Sequence, residues 1–156
     1  GAGIGAVIVT TAGVPAHGML RSPTYGANRG VTLIGPNCPG ALSPGLAFDD
    51  TATTEIYTAG NIGLVSRSGT LTYQIGHELT QLGIGPSTLV GIGGDPVVGS
   101  SFIDVLTRFN ADPETEIVVM VGEIGGAEEE KAAAFIGAEM TKPVVAYIAG
   151  VTAPPG

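Results

Sequence analysis

From Asn61 onward the chain alternates short apolar runs with segments whose apolar residues recur at helical spacing. Ile62 to Val65, Thr88 to Ile92, Ile117 to Val121 and Val144 to Ile148 read as strands, and their near-continuous apolar character suits strands buried on both faces. Leu71, Ile75, Leu79 and Leu82 mark a helix from about Thr70 to Leu82. Ile103, Leu106 and Phe109 mark a second, from Ser101 to about Asn110. A third is predicted from Ala127 to about Met140, and its first turn carries Glu128, Glu129 and Glu130, the sign that complements the helix dipole. Strands alternating with helices imply right-handed crossovers and a parallel sheet. Ligands of such sheets bind beyond the carboxyl ends of the strands. The turns at that edge are rich in Gly or Ser, so their backbones can converge on one ligand region.

Upstream the pattern is shorter. Ala6 to Thr10 reads as a strand, Thr10-Thr11-Ala12-Gly13-Val14-Pro15 as a turn, Ala16 to about Asn28 as a short helix and Val31 to Ile34 as a second strand. Gly1-Ala2-Gly3-Ile4-Gly5 is not a dinucleotide fingerprint, because those glycines precede the strand instead of following it. Asn37-Cys38-Pro39-Gly40 reads as a rigid loop. Residues 41–60 show no periodicity beyond a Ser43-Pro44-Gly45 turn and are expected to form a connection between domains.

Composition narrows the class. The 156 residues suffice for one domain, or one domain plus part of another. Hydrophobic residues at 44%, charged residues at 13% and 26 glycines suit a tightly wound α/β protein. A net charge of −8 argues against nucleic acid and anionic membrane surfaces as partners. With only six Lys and Arg, any anion site must draw on backbone amides and helix ends. One Cys builds neither a disulfide framework nor a Cys-rich metal site, which fits a reducing compartment. No apolar run is long enough to span a bilayer. The Gly-rich start lacks the basic flank of a signal peptide, and both ends read as cut.

The candidate chemistry centres on Val65-Ser66-Arg67-Ser68-Gly69-Thr70-Leu71-Thr72-Tyr73, a strand, a tight turn and a helix N-terminus. Ser68 or Thr70 caps the helix. The first helical amides have no internal partners and, with the dipole, make a site for phosphate or carboxylate; the same turn also serves as an ordinary capped connection. Glu123 follows a buried strand at the ligand edge, placed to orient a histidine, to act in proton transfer, or to cap nearby amides. Tyr73 lies off the apolar stripe of its helix, so its hydroxyl reaches a ligand or its ring packs. Arg67 is a carboxylate partner or a surface side chain. Asp95 stabilises its turn, and Cys38 reads as a small, partly buried thiol. His17 and His77 lie within helical patterns and define no metal site.

Five segments in this order and spacing carry a resemblance: Gly35-Pro36-Asn37-Cys38-Pro39-Gly40, Val65 to Tyr73, Gly91-Ile92-Gly93-Gly94-Asp95-Pro96, Gly122-Glu123-Ile124-Gly125-Gly126, and Ile148-Ala149-Gly150-Val151-Thr152-Ala153-Pro154. Together they resemble the α subunit of succinate–CoA ligase (succinyl-CoA synthetase) over essentially the whole chain. The resemblance implies the C-terminal remnant of a Rossmann-like CoA-binding domain in 1–40, a connection in 41–60 and a flavodoxin-like ligase domain in 61–156, incomplete at its C-terminus. It implies conversion of succinate, CoA and NTP to succinyl-CoA, NDP and phosphate through a phosphohistidine, with a β subunit as partner that brings Mg-NTP. Ser68, Gly69 and Thr70 would hold the phosphoryl group, Glu123 would position the histidine, and Tyr73 would lie near the substrate. Thr10, Thr11, Ala12, Asn37 and Cys38 would line the CoA site, and no metal is held by this chain. The implied compartment is the bacterial cytoplasm, with the mitochondrial matrix as the alternative.

The sequence departs from that pattern in places. The family's histidine, in a Gly-His-Ala-Gly-Ala loop, lies shortly after the Thr-Ala-Pro stretch, and the residues given stop at Gly156. The N-terminal phosphate-binding part of the CoA domain is missing as well. Thr11-Ala12-Gly13 stands where the family usually has Thr-Glu-Gly, and Phe48 to Tyr57 is unlike the family. The fragment by itself is therefore expected to be inactive. The other readings are a malate–CoA or citrate lyase-type synthetase, and a non-catalytic regulatory paralogue.

Overall fold

The computed structural model describes residues 6–8, 32–34, 40–43, 46–47, 60–95 and 98–150. Four parallel strands form the body of a six-stranded sheet: β5 (Ile62–Ser66), β6 (Pro86–Gly91), β7 (Ile117–Glu123) and β8 (Val144–Ala149). The sheet order is β4 (Leu46–Ala47), β3 (Gly40–Ser43), β6, β5, β7, β8, and the last four run parallel. Helices α1 (Gly69–Gln81), α2 (Phe102–Ala111) and α3 (Glu128–Glu139) connect them in turn. The predicted alternation and the parallel α/β sheet are thus present, with element ends shifted by a residue or two.

The chain steps from β5 to β6 in one direction, then returns past β5 to β7 and β8. Right-handed crossovers that move in opposite directions place their helices on opposite faces. The core divides accordingly. Leu64, Leu89 and Val121 pack with Leu71, Tyr73 and Ile75 of α1 on one face. On the other, Val65, Val90, Val118 and Met120 pack with Phe102, Val105, Leu106 and Phe109 of α2 and with Ala132, Phe135 and Ile136 of α3. Neighbouring strand residues point to opposite faces, which is why consecutive apolar positions such as Leu64 and Val65 serve different layers.

Two features differ from the expectation. The interval 41–60 is not without structure: β3 (Gly40–Ser43) and β4 (Leu46–Ala47) pair antiparallel on either side of residues 44–45, which with 48–59 lie outside the described residues. β3 in turn pairs antiparallel with β6, Ala41 opposite Val90 and Leu42 opposite Leu89, so the hairpin extends the sheet. Strands of four and two residues are too short to show a period, and their pairing is set by a strand some fifty residues later in the chain. The second difference is Leu82. Assigned to the apolar stripe of α1, it is the C-cap residue and 73% exposed.

Upstream, β1 (Ala6–Ile8) and β2 (Thr32–Ile34) form a separate two-stranded parallel sheet. Ile34 joins the α2 side of the core, and Arg108 Nη2 of α2 donates to Thr32 Oγ1 at 2.6 Å. The predicted helix from Ala16 to Asn28 lies outside the described residues.

Candidate functional site

The reversal of strand order falls between β5 and β7, the position at whose carboxyl end doubly wound sheets bind their ligands. The turn leaving β5 is built from its own side chains. Ser66 Oγ donates to the Ser68 carbonyl and accepts the Ser68 amide, both at 3.0 Å. Arg67 N donates to Val121 O at 3.0 Å, which ties the turn to β7. Ser68 has extended backbone angles and is the N-cap of α1; its Oγ accepts the Leu71 amide at 3.3 Å. Of the two candidates for the cap, the structure selects Ser68.

The amides of Gly69 and Thr70 open the helix with no acceptor among the described residues. Among the described residues, a β-carbon placed on Gly69 would meet nothing within 4 Å, so the space beside the start of the helix is open there. Thr72 is buried behind them, and its hydroxyl donates to the Ser68 carbonyl at 2.6 Å, which stiffens the first turn. Two outward-pointing amides at a dipole's positive end make a cradle for phosphate or carboxylate.

Glu123 is the last residue of β7, the strand next to β5, and reaches the same edge two residues beyond the Ser66–Val121 register pair. Strand alternation places it on the α1 face with Val119 and Val121. It is half-buried. Among the described residues, no hydrogen bond is made to its carboxylate; its backbone amide donates to Glu129 Oε1 at 3.1 Å. The structure thus brings the amide cradle and Glu123 to adjacent strand ends.

Tyr73 is not off the buried side of α1. The inner face centres on Thr72 and Gly76, both buried, with Leu71 on one flank and Tyr73 on the other. Its ring packs on the Leu64, Leu89 and Val121 cluster. Small residues at the centre let the helix lie close to the sheet, so the packed stripe is wider than the leucines suggest. His77 is exposed on the same helix. Among the described residues no group of three or more His, Cys, Asp and Glu could hold a metal ion. Thr10, Thr11, Ala12, Asn37 and Cys38, the residues expected at a CoA site, lie outside the described residues.

The sequence marks Glu129 only as one of three acidic residues at a helix start, yet in the structure it is buried at 9% exposure and pairs with Arg67, Nη1 to Oε1 at 3.1 Å. Arg67 is accordingly a carboxylate partner and not a surface side chain. The available signal was spacing: Glu129, Ala132 and Ile136 fall on one stripe of α3, with only the middle glutamate of the three turned to the sheet.

Comparison with known proteins is consistent with this geometry. A family model described as CoA-ligase matches residues 65–156. The chain is 55% identical over 155 residues to succinate–CoA ligase (ADP-forming) subunit alpha 2 of Archaeoglobus fulgidus, covering 99% of this chain and 54% of that protein. It is 52% identical over 157 residues to the corresponding subunit alpha of Aquifex aeolicus, covering 99% and 52%. The chain therefore spans about half the length of the curated relatives it matches. Among solved structures it is similar to ATP citrate lyase from Methanothrix soehngenii in complex with citrate and coenzyme A, with a TM-score of 0.88, 26% identity, and 96% of this chain and 26% of that one covered.

Proposed function

Because the chain belongs to the CoA-ligase family, we propose that it forms part of the α subunit of an NDP-forming succinate–CoA ligase. The observation that carries this reading is the open amide cradle of Gly69 and Thr70, capped by Ser68, at the strand-order reversal beside Glu123. It occurs in a chain 55% identical to a succinate–CoA ligase α subunit over nearly its full length.

In this reading the cradle receives the phosphoryl group in transit, and its donors stabilise the negative charge that the group carries. Glu123 accepts a hydrogen bond from the phosphoryl-carrying histidine and fixes its orientation. That histidine is neither His17 nor His77 and belongs to the longer parent. Tyr73 lies behind the cradle, against the substrate region. Thr10, Thr11, Ala12, Asn37 and Cys38 line the CoA site, in a tail of a CoA-binding domain comprising 1–40. Residues 61–156 form the ligase domain, to which the hairpin of β3 and β4 is joined. Mg-NTP arrives through a β subunit, and the assembly works in a cytoplasm or mitochondrial matrix. No helix among the described residues is long and apolar enough to cross a membrane.

The test uses the full-length parent co-expressed with its partner subunit and incubated with γ-labelled NTP. Acid-labile label on the α subunit, discharged by succinate with CoA, is the expected result. No label in the presence of an active partner overturns the reading in favour of a non-catalytic paralogue. The likeness to ATP citrate lyase supports a second reading, a citrate lyase-type synthetase. Discharge by citrate and not by succinate would establish it.

A further inference from the structure

The Arg67–Glu129 pair is more than a link between two charges. Glu129 Oε1 accepts both from Arg67 Nη1 and from the backbone amide of Glu123, each at 3.1 Å. Arg67 Nη1 also approaches Oε2 at 3.4 Å, and Nη2 donates to the Gly94 carbonyl at 3.5 Å. One half-buried node therefore joins the turn after β5, the turn after β6, the end of β7 and the first turn of α3. The surrounding backbone leaves room for it. A β-carbon on Gly122 would stand 2.6 Å from Glu129 Cγ, and one on Gly126 would stand 3.4 Å from Arg67 Nη1.

Stability alone does not explain this choice of residues. The desolvation of two charges roughly cancels their attraction, and an apolar pair of the same volume would hold the layers as well. An apolar pair could not accept the Glu123 amide, and it could not lock the residue that immediately precedes Ser68. We infer that Arg67 and Glu129 are a positioning pair that sets Glu123 against the Ser68–Thr70 cradle. Because the pair is neutral, it aligns an anion site without adding charge to it. The assignment rests on the function proposed above. Its consequence is sharp, because a displacement of about 1 Å at such a site can cost on the order of a hundredfold in rate.

The experiment uses the full-length subunit with its partner, comparing Glu129→Ala, Arg67→Ala, the double variant and Glu129→Gln. Glutamine keeps an acceptor oxygen for the Glu123 amide, so it is the conservative rescue. Glu129→Ala should lower kcat by about 10- to 100-fold with KM for CoA within about twofold, and Glu129→Gln should recover kcat to within about fivefold. The double variant should be no worse than the weaker single one, since both remove the same coupling. In parallel, inorganic phosphate titrated into the subunit by calorimetry should bind about tenfold more weakly in both alanine variants. Unchanged kcat together with unchanged phosphate affinity in Glu129→Ala overturns the assignment. So does a uniform loss, in which kcat, KM for CoA and the melting temperature shift together in Glu129→Ala and Glu129→Gln alike. If the wild-type assembly takes no label and turns nothing over, the proposed ligase function fails, and the phosphate titration alone decides the pair.

Discussion

Asp112 shows how a single side chain ties stability to pH away from the candidate site. Thr115 Oγ1 donates to its Oδ2 at 2.6 Å, and this hydroxyl is the main reason its carboxyl titrates below the usual range. Partial burial opposes the effect, while the Glu114 amide and the Lys142 ammonium add to it. A carboxyl with a lowered folded pKa contributes stability above its unfolded value of about 3.9, and the contribution disappears as pH falls through the folded value. Asp112→Asn should therefore lower the urea midpoint near neutral pH, and the difference from wild type should shrink in strongly acid solution. A midpoint difference that stays constant across that range would show that the carboxylate's charge is irrelevant. The Thr115 hydroxyl is also 2.6 Å from Ser87 Oγ in the buried interior, so a threonine at the foot of β7 serves both strand β6 and the Asp112 turn.

At the scale of elements, the helices differ in how their stripes meet the sheet. Leu106 of α2 is fully buried among Phe102, Phe109 and the strand valines. Leu106→Ala should cost about 2–5 kcal/mol in denaturant unfolding, through lost transfer energy and the cavity left behind. Leu82→Ala, at the exposed end of α1, should stay within about 0.5 kcal/mol. Equal costs would mean that the stripe read from the leucines of α1 continues into its cap, contrary to the fold. α2 opens with a capping box in which the Ser101 hydroxyl and the Asp104 carboxylate satisfy each other's backbone amides. α3 has no side-chain cap and instead carries Glu128, Glu129 and Glu130 in its first turn. Of these, Glu129 is committed to Arg67, and Glu128 makes an exposed pair with Lys131 that contributes little.

At the scale of the whole molecule, the described residues cover the two sheet faces unequally: α2 and α3 share one face, and α1 packs on the other. On the α1 face the outer strand β8 leaves Val145 and Tyr147 more than half exposed, opposite Val119 and Val121 of β7. Replacing both with lysine should reduce hydrophobic-dye binding yet change stability by at most about 1 kcal/mol, the worth of a cross-strand pair. A larger loss would show that this face is buried in solution. The net charge of −8 favours solubility and leaves anion binding to local donors, as the Gly69 and Thr70 amides illustrate.

The sequence by itself determined the alternation of strands and helices, the parallel class of the sheet and a side-chain cap at Ser68 or Thr70, between which the structure chose Ser68. Each rests on local chemistry: side-chain period, the conformational preferences of Gly and Pro, and hydrogen bonds between residues a few positions apart. Only the tertiary structure decided the partner of Arg67, the edge hairpin of β3 and β4, and the packing of Tyr73. These depend on which strand lies beside which and on which face a helix lands. The partners are 62 residues apart for Arg67 and Glu129, so no local pattern joins them. The order β6-β5-β7 brings them together by carrying the chain out from β5 and back past it, which sets the turn after β5 beside the start of α3.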